Sequence, residues 1–112
     1  MQLFIIDWSK EATTPLLDYC RKTGHKVVGS ELVDGGEAYR KTGKCKADAI
    51  VVNYAIKPSH GRVTAQEIRR RKATAETPIY FIGGSEDDNE MVAHLGVCLS
   101  EEEFKDMFEE QG

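Results

Sequence analysis

No apolar run in the 112-residue chain approaches the ~20 residues that cross a bilayer, so no membrane span is expected. The start, Met1-Gln2-Leu3-Phe4, lacks the basic stretch and long apolar segment of a secretory leader. Cysteine is scarce. Cys20, Cys45 and Cys98 are odd in number and widely spaced, which argues against a disulfide framework and a zinc knuckle. Basic excess is missing too: 15 Lys and Arg stand against 19 Asp and Glu, a net charge of −4. That balance speaks against nucleic-acid binding, because a phosphate backbone rewards a basic surface. Internal repeats, low-complexity tracts and Pro/Gly/Ser linkers are absent, as are a P-loop, a dinucleotide fingerprint and a nucleophile–base pair. The expectation is one cytoplasmic domain over residues 1–112 with reduced thiols, no metal, no cofactor and no enzymatic activity.

What is present is ordinary globular material, 40% hydrophobic and 30% charged. A chain this long buries about two-thirds of its unfolded surface, enough for a core without staples. Leu3-Phe4-Ile5-Ile6 and Ala49-Ile50-Val51-Val52 are continuous apolar runs of the kind that form strands covered on both faces. Lys26-Val27-Val28-Gly29, Pro78-Ile79-Tyr80-Phe81-Ile82 and Val97-Cys98-Leu99 read as three further strands.

Helical patterns alternate with these strands. The first carries Leu16, Leu17 and Cys20 and ends at Gly24; the second covers Glu37 to Thr42 and is stopped by Gly43. Thr64-Ala65-Gln66-Glu67 has capping-box spacing at the front of a third helix. Ser85 caps a fourth with Met91, Val92 and Leu95 inward, and Ser100 opens a fifth with Phe104, Met107 and Phe108 inward. Five strands alternating with five helices imply right-handed crossovers and a doubly wound parallel sheet. Ligands and chemistry in such folds gather beyond the carboxyl ends of the strands. That rim holds Asp7, Trp8, Asn53, Tyr54, Gly83, Gly84 and Ser85.

Several pieces, in order and with compatible spacing, then resemble one family. They are Phe4-Ile5-Ile6-Asp7, Val33-Asp34-Gly35-Gly36-Glu37-Ala38, Ala47-Asp48-Ala49-Ile50-Val51-Val52-Asn53, Gly61, Thr77-Pro78-Ile79-Tyr80-Phe81-Ile82-Gly83 and His94-Leu95-Gly96-Val97. The chain resembles the receiver domains of two-component response regulators over nearly its whole length. The resemblance implies a flavodoxin-like (βα)5 fold with strand order 2-1-3-4-5.

The family's chemistry does not carry over residue by residue. Where the resemblance places the phosphoacceptor aspartate, this chain has Asn53, an amide that forms no acyl phosphate. Of the two acids expected after the first strand, Asp7 is kept and the next position is Trp8. Gly83 stands where a hydroxyl is expected, and no lysine follows the fifth strand, Lys105 falling inside the last helix. Pro58 sits one residue later than the family pattern, with Gly61 in place. Asp7, Trp8, Asn53 and Gly83 therefore read as a vestigial phosphorylation pocket, and the chain as a pseudo-receiver.

Each residue also has a plainer role. Asp7 reads as a carboxylate that caps a helix or bonds a rim amide, Trp8 as a cover over the vacated metal pocket, and Asn53 as a tie between loops. Gly83-Gly84-Ser85 reads as helix capping, since Glu86, Asp87 and Asp88 beside it repel anions. His60 reads as an exposed loop histidine; His25 and His94 lack metal-ligand spacing. The run Arg69-Arg70-Arg71-Lys72 reads as a solvated basic face, whose contrast with Glu101-Glu102-Glu103 and Glu109-Glu110 favours partner steering.

The expected function is a stand-alone pseudo-receiver acting through phosphorylation-independent binding to another protein of a signalling pathway, or through self-association. By family analogy the binding face lies near Tyr80, Met91, Val97, Leu99 and Phe104. The alternative is a small-ligand or enzymatic domain using Asp7, Asn53 and His60 at the rim.

Overall fold

Strand β1 (Gln2–Ile6) is paired in parallel on both sides, to β2 (Lys26–Glu31) and to β3 (Ala49–Asn53). Parallel neighbours cannot be joined by a tight hairpin, so each connection crosses a face of the sheet as a helix. The computed structural model describes residues 1–11 and 14–111. In it α1 (Pro15–Lys22), α2 (Gly35–Lys44) and α3 (Pro58–Arg70) connect the first four strands in turn, β4 being Ile79–Ile82. Helix α4 (Glu86–Val92), strand β5 (Val97–Leu99) and helix α5 (Glu101–Gln111) complete a five-stranded parallel sheet of order β2-β1-β3-β4-β5. The doubly wound architecture and strand order are as the sequence implies.

The two-residue period of the strands divides the core. Phe4, Ile6, Ile50, Val52, Ile79 and Phe81 face α2, α3 and α4, where Ala38, Ala65, Ile68 and Val92 cover them. Leu3, Ile5, Ala49, Val51 and Ile82 face α1 and α5, where Leu17, Cys20, Phe104 and Phe108 cover them. Burial pushes the Cys20 thiol up to about 12, which keeps it protonated and inert. Among the described residues no helix is long and apolar enough to cross a membrane.

Four local expectations are corrected. Helix α2 runs through Gly43 to Lys44. A Cβ at Gly43 would lie 2.8 Å from Arg71 Nη1, so the glycine serves close approach and does not stop the helix. Helix α3 starts six residues before Thr64. Pro58 occupies its first turn, while Thr64 is buried mid-helix; proline's fixed φ suits that position and overrides the capping-box spacing. Met91 points outward and is 51% exposed.

The basic run is the fourth. Arg69 donates to the carbonyl oxygens of Leu95 (2.9 Å), Thr74 (3.0 Å), Ala75 (3.3 Å) and Thr77. Arg71 lies over the Tyr39 ring (4.2 Å), donates to the Tyr39 carbonyl and reaches Thr42 Oγ1 at 2.8 Å. Arg69 satisfies the carbonyls of an irregular stretch around a single 3-10 turn, Lys72–Thr74, that has no ladder of its own, and Arg71 ties that stretch to α2 through Thr74 Oγ1 at 3.2 Å. Only Arg70 and Lys72 of the run are exposed.

Replacing Arg69 by Ala leaves several half-buried carbonyls without a donor and is expected to cost about 3 kcal/mol in urea unfolding. Arg70→Ala is the control, with an expected loss under ~0.5 kcal/mol. Equal losses for the two would show that Arg69 is a solvated cation like its neighbour.

Candidate functional site

The carboxyl ends of β1 and β3 bring Asp7 and Asn53 together. Asp7 is wholly buried, at 0% exposure. Its Oδ2 accepts from Asn53 Nδ2 and its Oδ1 from the Ser9 N–H, both at 3.3 Å. A carboxylate only accepts, so it dictates that the Asn53 nitrogen faces it. The Asn53 oxygen then turns outward and accepts from the Ala55 N–H at 3.3 Å. Asp7 thus bonds a rim amide, and Asn53 links the ends of β1 and β3.

Trp8 is 3% exposed and belongs to the core beneath α2 and α3. Its ring stands edge-on to His60 with centroids 6.1 Å apart. The close fit depends on Gly61, where a Cβ would lie 3.1 Å from Val52 Cγ1 and 3.8 Å from Trp8 Nε1. His60 itself is exposed. Tyr54 is buried, and its hydroxyl donates to the Asp88 carbonyl at 2.7 Å, locking the rim to α4. Gly83 turns with a φ of 78°, and its N–H pairs with the Leu99 carbonyl at 2.9 Å. Ser85 Oγ accepts from the Asp88 N–H at 3.2 Å, the capping role expected of it.

These groups do not fit the divalent cation that the receiver resemblance implies. Mg²⁺ demands several oxygen ligands in near-octahedral array. Here one buried carboxylate meets an amide that presents N–H, and the next side chain is an indole.

The face read near β4, β5 and α5 divides on inspection. Met91 and Val97 are 51% and 52% exposed. Tyr80 and Leu99 are half-buried against the α1/α5 core. Phe104 is removed from any such face: it is fully buried, 4.2 Å from the Phe108 ring between centroids, because it lies on the sheet-facing stripe of α5.

A recess not anticipated from the sequence opens on the other side of the rim. It is lined by Pro15, Leu16, Tyr19, Asn53, Ala55, Ile56, Ile82, Gly83, Glu101, Phe104 and Lys105. The available signal was Ala55-Ile56, an apolar pair in a rim loop where polar residues are usual. Lys105 reaches the same recess as Asn53 and Gly83, yet its ammonium pairs with Glu101 at 3.1 Å.

No family profile matches this sequence, and no curated protein matches it. Solved structures do. The signal receiver domain of a modulated diguanylate cyclase from Desulfovibrio desulfuricans is 19% identical, covering 97% of this chain and 87% of that one, with a TM-score of 0.72. The receiver domain of a sensor histidine kinase from Pseudomonas aeruginosa, with a magnesium ion in its active-site cleft, is 19% identical, with coverage of 97% and 94% and a TM-score of 0.72. The receiver domain of a DNA-binding response regulator from Colwellia psychrerythraea is 16% identical, covering 99% and 94%, also with a TM-score of 0.72. The chain has the receiver-domain fold.

Beside Asp7, Glu31 is the rim acid with a resolved shift. Burial opposes its ionisation, but Lys41 Nζ at 2.6 Å and the Asp34 and Val33 N–H groups at 3.0 and 3.1 Å outweigh it, and its pKa is lowered. A depressed folded pKa means that the unfolded chain binds more protons in this window. The contribution is therefore complete above the ordinary carboxylate value of about 4.3 and lost as pH falls through the lower folded value. Glu31→Gln is expected to cost about 1–2 kcal/mol at pH 7 and to flatten the acid limb of the stability curve. An unchanged acid limb would show that Glu31 is not the group responsible.

Proposed function

We propose that this chain is a pseudo-receiver that keeps the receiver fold, has lost phosphoryl chemistry, and acts by binding another protein of a signalling pathway. The observation that carries the reading is the Asp7–Asn53 bond. The carboxylate that a receiver would offer to a cation is spent on the amide in the acceptor position. Residues 1–112 form one receiver-like unit in this reading, with no turnover of its own. Its output is a contact, and the exposed Met91 and Val97 at the β5 edge are surface of the kind that contacts use. The small-ligand reading at Asp7, Asn53 and His60 has less support, since Asp7 is closed to solvent and His60 lies across the Trp8 ring.

The test is a backbone-amide NMR titration with Mg²⁺, then with acetyl phosphate and beryllofluoride. Amides of Asp7, Asn53 and Gly83 are expected to stay in place, and Asn53→Asp to incorporate no more phosphate than the parent chain. Saturating shifts at those amides, or labelling of Asn53→Asp at an ordinary receiver's rate, overturns the reading.

A further inference from the structure

The recess between α1 and α5 has a volume of about 340 Å³, within the range of built binding cavities. Leu16, Tyr19, Ile56, Ile82 and Phe104 are among its lining, the last two 4% and 0% exposed, and Asn53 closes its rim end. Along its α5 side the surface is acidic. A shallow depression lined by Glu101, Glu102, Lys105, Asp106 and Glu109 adjoins it, sharing Glu101 and Lys105.

The α5 helix does not need all of these acids. Glu101 to Glu103 suit its positive end, and Glu103 completes a reciprocal cap with Ser100, both bonds 3.0 Å. Glu102, Asp106 and Glu109 are different. They are exposed at i, i+4, i+7 spacing, one stripe on one face. Glu102 and Asp106 repel each other at that spacing, and Glu109 sits in a last turn that holds no base. Among the described residues no ion pair neutralises the three, since Lys105 is paired with Glu101. Glu109 Oε1 lies 3.3 Å from the Tyr19 hydroxyl, which ties the stripe to the recess. Burial and then the Glu109 carboxylate hold that hydroxyl above its ordinary pKa.

We propose that the recess and the stripe together dock a basic amphipathic segment of a partner protein, its apolar side chains in the recess and its lysines or arginines along Glu102, Asp106 and Glu109. Charge complementarity selects this occupant. Glu102 and Asp106 are not in the recess lining, so a small ligand seated against Leu16 leaves them unengaged. Nucleic acid is repelled by the same carboxylates. A second copy is a poor complement, because Arg69 and Arg71 of its basic run are folded inward on carbonyls. The docking surface rests on the partner-binding reading above and gives that partner its chemistry.

The experiment is an amide-resolved NMR titration of the whole chain with a roughly 18-residue leucine–lysine amphipathic peptide and with the same peptide carrying serine for leucine. Saturable shifts at Leu16, Tyr19, Ala55 and Lys105 are expected with the first peptide only. The pair Glu102→Gln and Asp106→Asn, which removes the repulsion within α5 and so does not threaten the fold, is expected to weaken binding about tenfold or more. Ile56→Asp is expected to weaken it through the recess, and Met91→Asp to leave it unchanged. Equal binding of the serine peptide overturns the proposal, as charge alone then suffices. Shifts at Met91 and Val97 instead, or recess shifts that follow protein concentration without peptide, overturn it in favour of another face or of self-association. A recess silent to the peptide overturns the docking surface and leaves the pseudo-receiver reading standing; that reading falls to a response to Mg²⁺, acetyl phosphate or beryllofluoride at Asp7, Asn53 and Gly83, or to labelling of Asn53→Asp.

Discussion

Parallel pairing of β1 with both β2 and β3 constrains everything else in this chain. A strand hydrogen-bonded on both edges and covered on both faces has no polar outlet along its length, so its residues are apolar until it leaves the sheet. Polar side chains first appear at the carboxyl ends, as Asp7 and Asn53, which the pairing of β1 with β3 sets side by side. The same parallel rule sends every connection across the sheet as a helix, and the helices wall the rim on both sides. Site and fold are two consequences of one ladder.

At that rim a buried carboxylate meets an amide. In the receiver pattern the strand ends hold acids around a cation. Here the carboxylate bonds the amide, and the indole is buried in the core beneath α2 and α3. An Asp–Asn bond at 3.3 Å is weak by charge-assisted standards. Its significance lies in what it occupies. The open, apolar-lined space is displaced to the α1/α5 side of Asn53, where Ala55 and Ile56 replace the polar character expected of a rim loop.

Legibility in the sequence followed the range of the interaction. Strands were readable because their signal, a continuous β-branched and apolar run such as Ala49 to Val52, is local. Ser85 and Ser100 were readable as caps because a cap spans three residues. Thr64 and Gly43 misled for the same reason. Each carries a strong local signal, and a distant partner overrules it: Arg71 packs where a Gly43 side chain would stand, and Pro58 begins the helix that swallows Thr64. The basic run was read as one face because its residues adjoin in sequence. Arg69 and Arg70 sit about 100° apart on the helix and Arg71 is its extended C-cap, so Arg69 and Arg71 reach different partners while Arg70 faces water. Phe104 was read as both core and surface, and only its contact with Phe108 decides for core.

The sequence by itself determined the order and type of the elements, the parallel doubly wound sheet, and the amide, Asn53, that ends its third strand. These follow from side-chain chemistry and from periodicities of a few residues. Only the tertiary structure decided that Asp7 spends its carboxylate on Asn53, that half of the basic run is a staple, and that an apolar recess lies beside the acidic stripe of α5. Those facts depend on which residues far apart in the chain meet, and such meetings are fixed by packing across the sheet, which no local pattern encodes.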